Sequence, residues 1–262
     1  MLNISRTLLL ILSCIILSSC QHKLKKQKEE EIAETAYQKG VSSLELHNYK
    51  KAVSYLTQVY FLDPSSLVAQ KAQLLEMYSS FMLKHYDESI EVAENFLRFY
   101  PLNKNADYAS YINALSHYVQ ISPLYLDQSF TQKTKNLFEE FIQNYPNSNF
   151  IKFAKEKLLV INEHLAGKEM EIGRYYIFLN DPITALIRFK TVLNDYDKTN
   201  QVPECLYRLS ASFMMLGMKD EAVKYAALLG YNFPDSKWYS YNYKLIKDQE
   251  ERSSEKKKII PN

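Results

Sequence analysis

The chain has 262 residues and a formal charge of +2, from 32 Lys and Arg against 30 Asp and Glu, which excludes a strongly basic nucleic-acid binder on electrostatic grounds. Only 5 residues are Gly, while 21 are Tyr; so little Gly argues against a phosphate-cradling nucleotide fold and against an all-β chain with many tight turns, because both need residues at φ > 0. Cys14, Cys20 and Cys205 are too few and too far apart for a disulfide framework or a zinc site.

In chain order, residues 1–19 read as a secretory signal peptide. Arg6 supplies the positive start, and Thr7 to Leu17 form an apolar run too short to cross about 30 Å of hydrocarbon as a helix. Leu17, Ser18, Ser19 and Cys20 then resemble a bacterial lipobox, in which the Cys is lipid-modified on sulfur and the chain is cut just before it. Cys20 is therefore the expected lipidation site, and several acyl chains on one residue give stable anchoring. Gln21 at the next position favours export to the outer membrane. Removal of Cys14 and capping of Cys20 leave Cys205 as the free thiol. Residues 20–30 form a polar lipidated tether, with Lys23, Lys25, Lys26 and Lys28 near the membrane surface.

A repeat follows. Its marks are a small residue, an aromatic, a second small residue twelve after the first, and a Pro twelve beyond that. The first unit has Gly40, Tyr49, Ala52 and Pro64; the second has Met77, Tyr86, Ser89 and Pro101. The third keeps Thr134, Phe138 and Pro146, the fourth Gly173, Ala185 and Phe189, and the fifth Ser210, Gly217, Ala222 and Pro234. These offsets match a tetratricopeptide repeat of about 34 residues. A small residue is required where two helices of a hairpin cross closely, and Pro closes the second helix. Between the marks, apolar residues follow helical spacing: Ala52, Leu56 and Val59; Ile90, Ala93, Phe96 and Leu97; Leu186, Phe189, Val192 and Leu193; Val223, Ala226, Ala227 and Leu229. The expected fold is all-α, an α-solenoid of about five tetratricopeptide-like hairpins and about ten helices.

Repeats one to three occupy residues 31–146. Pro123 places a loop at 120–131 between the two helices of the third repeat. Residues 147–247 hold a long linking helix, over 148–178 with Gly167 near its middle, and then repeats four and five. The charged run 248–262, with Lys256, Lys257 and Lys258 before Pro261, reads as a disordered tail.

No catalytic constellation is legible. His22, His47, His85, His117 and His164 have no second His or Cys at metal-ligand spacing, and His85 and His117 read as surface residues. Cys205 reads as a small core residue on the first helix of repeat five. Neither cofactor nor metal is expected, and the chain reads as a binding scaffold. Tyr suits such a surface because it offers broad apolar contact and one hydroxyl.

Five runs carry a more specific resemblance: FLRFYPLNKNADYASY at 96–111, DQSFT at 127–131, YPNS at 145–148, LAGKEMEIGRYY at 165–176 and GYNFPDSKWY at 230–239. Together with the lipobox, they make the chain resemble the BamD (ComL) family of outer-membrane β-barrel assembly lipoproteins. That resemblance implies a lipid-anchored protein on the periplasmic face of the outer membrane, working without ATP or metal. It implies C-terminal repeats that dock on a POTRA domain of BamA and contact small Bam lipoproteins, and N-terminal repeats that receive unfolded outer-membrane proteins. Arg188 matches a family Arg that pairs with a BamA carboxylate. Tyr78, Tyr86, Asp107, Tyr108 and Tyr111 are the candidates for the receiving surface. Asp197 stands where the family has Pro, and Pro182 where it has an aromatic. The alternative function is a tetratricopeptide lipoprotein that scaffolds peptidoglycan enzymes or proteases. A transglycosylase needs a compact catalytic domain with an essential Glu, for which no residues remain.

Overall fold

The computed structural model describes residues 25–124 and 126–259. Eleven helices run through them and no strand: α1 over 25–45, α2 Tyr49–Leu62, α3 Leu67–Met82, α4 Tyr86–Phe99, α5 Ala106–Tyr118, α6 Ser129–Asn144, α7 Ile151–Phe178, α8 Pro182–Asp195, α9 Val202–Met215, α10 Lys219–Asn232 and α11 Lys237–Ile259. Two units divide the chain, one made of residues up to Gln120 with Glu140–Ile151, the other of Ile121–Glu139 with Lys152 onward.

In the first unit α2 packs on α3, α3 on α4 and α4 on α5. Ala33 and Ala36 of α1 join Ala52, Leu56 and Val59 of α2 and Ala69 and Ala72 of α3 in one buried cluster. In the second unit α8 packs on α9, α9 on α10, and α11 on both α9 and α10; its core includes Val202, Leu206 and Leu229.

The repeat marks sit where the hairpins cross. A Cβ added at Gly40 would lie 2.7 Å from Leu56 Cδ2, and one at Gly173 would lie 2.3 Å from Phe189 Cε1. These are equivalent positions of repeats one and four, so one steric demand selects the same residue twice. Repeat two meets that demand differently: Ser89 Oγ donates 2.9 Å to the Met77 carbonyl, which ties the two marks together.

The turn inside each of these hairpins also repeats. His47, Lys84, Asn180 and Gly217 all have φ between 54° and 75°. Each closes the preceding helix with paired bonds, such as Lys84 N to Phe81 O at 2.9 Å and His85 N to Ser80 O at 2.9 Å. These are Schellman caps at the ends of first helices, and Gly fills only one of the four.

Several expectations are corrected. Residues 25–30, expected as tether, are helical, with Lys25 paired to Glu29 and Lys26 to Glu30. The segment 248–259, expected as disordered tail, continues α11. Both segments are rich in strong helix formers, and neither contains Pro or Gly. His117 is buried rather than at a surface, its Nδ1 3.0 Å from the Asn113 carbonyl. Val223 and Ala227 are exposed; α10 buries Ala222 and Leu229, which lie seven residues apart on another stripe. The expected boundary at 146/147 does not separate the units. Leu124 of the α5–α6 loop reaches over Gly167 of α7, so this loop and the first part of α6 join the second unit. Cys20 and the signal lie outside the described residues.

Candidate functional site

Of the five candidates on the first unit, the structure brings three Tyr and Asp107 together around one aromatic track. It starts where the Tyr49 ring meets Tyr78 edge-on, with centroids 6.2 Å apart. Burial first, and then Tyr49, raise the Tyr78 phenol above its usual range. Tyr108 follows on α5, its phenol pushed up to about 12 by burial and then by Tyr78. Both hydroxyls therefore keep their protons and can donate. Beyond Tyr108 lies Phe150, with centroids 5.7 Å apart. Tyr111 stacks on Phe150 at 4.8 Å and 13°, and also meets Phe141 at 5.7 Å.

These residues have unequal freedom. Tyr111 is buried between two rings and works as packing. Asp107 Oδ2 accepts from Ser148 Oγ at 2.7 Å, which fastens α5 to the turn before α7. Tyr78 and Tyr108 are half-buried and keep an exposed edge. Tyr86 stands apart from the track, against Phe81 at 5.6 Å.

On the second unit, Arg188 projects from α8. Asp181 caps this helix by accepting from Thr184 N at 3.1 Å, and its hydrogen bonds with Thr184 hold its carboxyl below the usual range. Pro182 sits in the first turn, where its missing N–H breaks no helical bond. The helix still ends at Asp195 without a following Pro: Tyr196 leaves the helical region at φ −139° after its N–H makes the last bond, to Val192 O at 3.0 Å, and its buried ring lies under the Lys135 ammonium. Arg188 Nη1 donates to Glu169 Oε2 at 3.4 Å, while its buried Nε has no partner. Ile183 and Ile187 of the same helix are 62% and 60% exposed; at 100° per residue they share a strip about 100–140° around α8 from Arg188.

The family model described as an outer membrane lipoprotein, YfiO, matches residues 29–228. The outer membrane protein assembly factor BamD of Rickettsia prowazekii (strain Madrid E) is 39% identical over 236 residues, covering 89% of this chain and 93% of that protein. The protein of the same name from Caulobacter vibrioides is 34% identical over 245 residues, covering 92% of this chain and 80% of that protein. The chain belongs to the BamD family. Its relatives are named as assembly factors of the outer membrane, not as enzymes. A thermophilic tetratricopeptide protein of Thermus thermophilus has a TM-score of 0.36 at 14% identity, covering 82% of this chain and 98% of that one.

Within this member of the BamD family, Cys205 is buried, its Sγ 3.0 Å from the Phe189 carbonyl, and burial raises its thiol far above the usual range. Among the described residues, no cluster of three or more His, Cys, Asp or Glu is placed to hold a metal, and no helix is long and apolar enough to cross a membrane. The sequence left two arrangements unseen. Glu204 accepts from Arg174 at 3.3 Å and from Arg208 at 3.1 Å; only the i,i+4 half of that cluster is visible as spacing. Arg208 also lies over Tyr207 and Trp238, which stack at 5.4 Å. The second arrangement is a buried acid, Glu76 on α3, which no local pattern marks.

Proposed function

We propose that this chain is a non-enzymatic scaffold subunit of the outer-membrane β-barrel assembly machine. It is anchored through lipidated Cys20 on the periplasmic face of the outer membrane. It docks on a POTRA domain of a BamA-type barrel protein through α8, contacts small Bam lipoproteins, and offers Tyr78 and Tyr108 to unfolded outer-membrane proteins. One observation supports α8 as the docking element above all: the helix carries a guanidinium 40% exposed and two exposed Ile side chains, Ile183 and Ile187. A guanidinium binds a carboxylate strongly while exposed Ile side chains elsewhere on the helix lose water to the partner. The internal partner Glu169 engages Nη1 alone, at 3.4 Å, and the Arg188 side chain stays 40% exposed.

The test is co-purification in mild detergent. The wild type should capture the barrel protein. Ile187→Glu should reduce capture at least tenfold, because it puts a charge into desolvated surface and leaves Arg188 in place. Exchanging the pair, as Arg188→Glu with Glu169→Arg, keeps the internal contact and should also reduce capture. Equal capture by all three proteins overturns the site, and capture of murein enzymes in place of a barrel protein overturns the function.

A further inference from the structure

A groove of about 320 Å³ lies between α2 and α4 with α3 as its floor. It lies on the other side of α3 from the aromatic track: at 100° per residue, Tyr78 is about 170° around the helix from the line of Gln73, Glu76 and Ser80. Its lining carries three carboxyl groups, Glu76, Glu88 and Glu91, and no Lys or Arg. Glu76 is 8% exposed and Gln73 only 3%. The Gln73 carbonyl Oε1 has no hydrogen-bond partner, an unmet acceptor that costs free energy until a donor reaches it. At the rim Phe61 is 76% exposed. Arg98 donates to Asn95 nearby, but its guanidinium is drawn over the Phe99 ring.

One contact shows what this groove lacks. Thr57 Oγ1 is 2.9 Å from the Val53 carbonyl and 2.5 Å from Glu76 Oε1. A hydroxyl has one hydrogen and cannot donate to both. The conflict vanishes if Glu76 is a neutral acid that donates to Thr57, which then donates to Val53. Burial is the main influence on Glu76 and favours that neutral form, Glu88 and Glu91 add to it, and the Thr57 contact opposes it. Glu88 is shared with His85 at 3.1 Å, and Glu91 has no such partner in the groove. The floor is thus rich in acceptors and poor in donors.

We propose that this groove receives the guanidinium of an Arg side chain on an extended polypeptide segment. A guanidinium brings five donors in one plane and is weakly hydrated, so it serves several separated acceptors at once, and its flat face stacks on an aromatic ring such as Phe61. The same charge pattern repels a chain-terminal carboxylate. When the cation enters, Glu76 gives up its proton to the buffer, and the Thr57 hydroxyl turns to donate to the new carboxylate.

The test uses the full chain in detergent and a dye-labelled, amidated Ala-Arg-Phe-Ala peptide followed by fluorescence anisotropy. A counterpart with citrulline for Arg keeps the shape without the charge. The Arg peptide should bind at least tenfold more tightly than the citrulline one. Glu88→Gln with Glu91→Gln, both at the groove wall, should remove that preference, and Phe61→Ala should weaken binding severalfold. Binding of the Arg peptide should be measured calorimetrically in phosphate and in Tris, where a released proton makes the two heats differ. Equal binding of both peptides, an unchanged preference in the double variant, or tighter binding of a peptide with a free C-terminal carboxylate overturns the proposal. None of these readouts involves the barrel protein, so they fail independently of the docking proposal.

Discussion

Glu76 ties the first unit's stability to pH. Its folded value is about 7 against an ordinary 4.5, with burial as the first cause. Between those values the folded state holds more protons than the unfolded one, so this contribution is fully present below about pH 4.5 and is lost as pH rises through 7. The loss is on the order of 3 kcal/mol. Urea unfolding at pH 5 and pH 8 should show a falling midpoint in the wild type and a smaller fall in Glu76→Gln; parallel falls would show that the acid is not held neutral. A second residue-scale test concerns Gly173. Its added Cβ would collide with the buried Phe189 ring, so Gly173→Ala should lower stability by about 1–3 kcal/mol, read as a drop in Tm. Individual residues were only partly legible in the sequence. The family resemblance marked Tyr78, Tyr108 and Tyr111 as candidates but could not show that Phe150 folds back onto Tyr111, since that contact depends on a distant turn.

At the scale of elements, the repeat marks were legible because they answer a local demand, the close crossing of two helices. The loop before α6 and the length of α7 followed from one Pro and from its absence. The caps were not legible. Three of the four left-handed positions carry His47, Lys84 and Asn180; Asn and His tolerate that conformation without being confined to it, and Lys gives no signal for it. Left-handed backbone costs a side-chain-bearing residue about 1–2 kcal/mol. Lys84→Gly should therefore stabilise the first unit by about 0.5–1 kcal/mol after the greater freedom of unfolded Gly is deducted, measured by urea denaturation. The terminal helices were missed for another reason. Charged composition suggests solvated linker, yet Lys and Glu four apart support a helix, as Lys247 and Glu251 do.

For the whole molecule, the low Gly content pointed to helices, and the described residues form eleven of them. The partner-facing chemistry was less legible: Arg188 could be named from sequence, but its bond to Glu169 spans two helices. Cys205 offers a global measurement. Its thiol is buried and its thiolate disfavoured, and the thiolate is the reactive form. Maleimide labelling of Cys205, followed by mass spectrometry of its peptide, should be negligible in the native protein. It should accelerate at least a hundredfold in denaturing urea. Rapid native labelling would mean that α9 opens locally.

The ring stack at Trp238 carries one more consequence. It is the sole Trp of the chain and lies in the second unit, pressed against Tyr207 and Arg208. The first unit holds the Tyr49, Tyr78 and Tyr108 hydroxyls instead. Indole emission therefore reports on the second unit, whereas Tyr residues are spread through both units and their absorbance reports on neither by itself. A shift of indole emission on adding a partner would thus place the event in the second unit, and a peptide that settles beside α3 would leave that emission unmoved, without any label being attached.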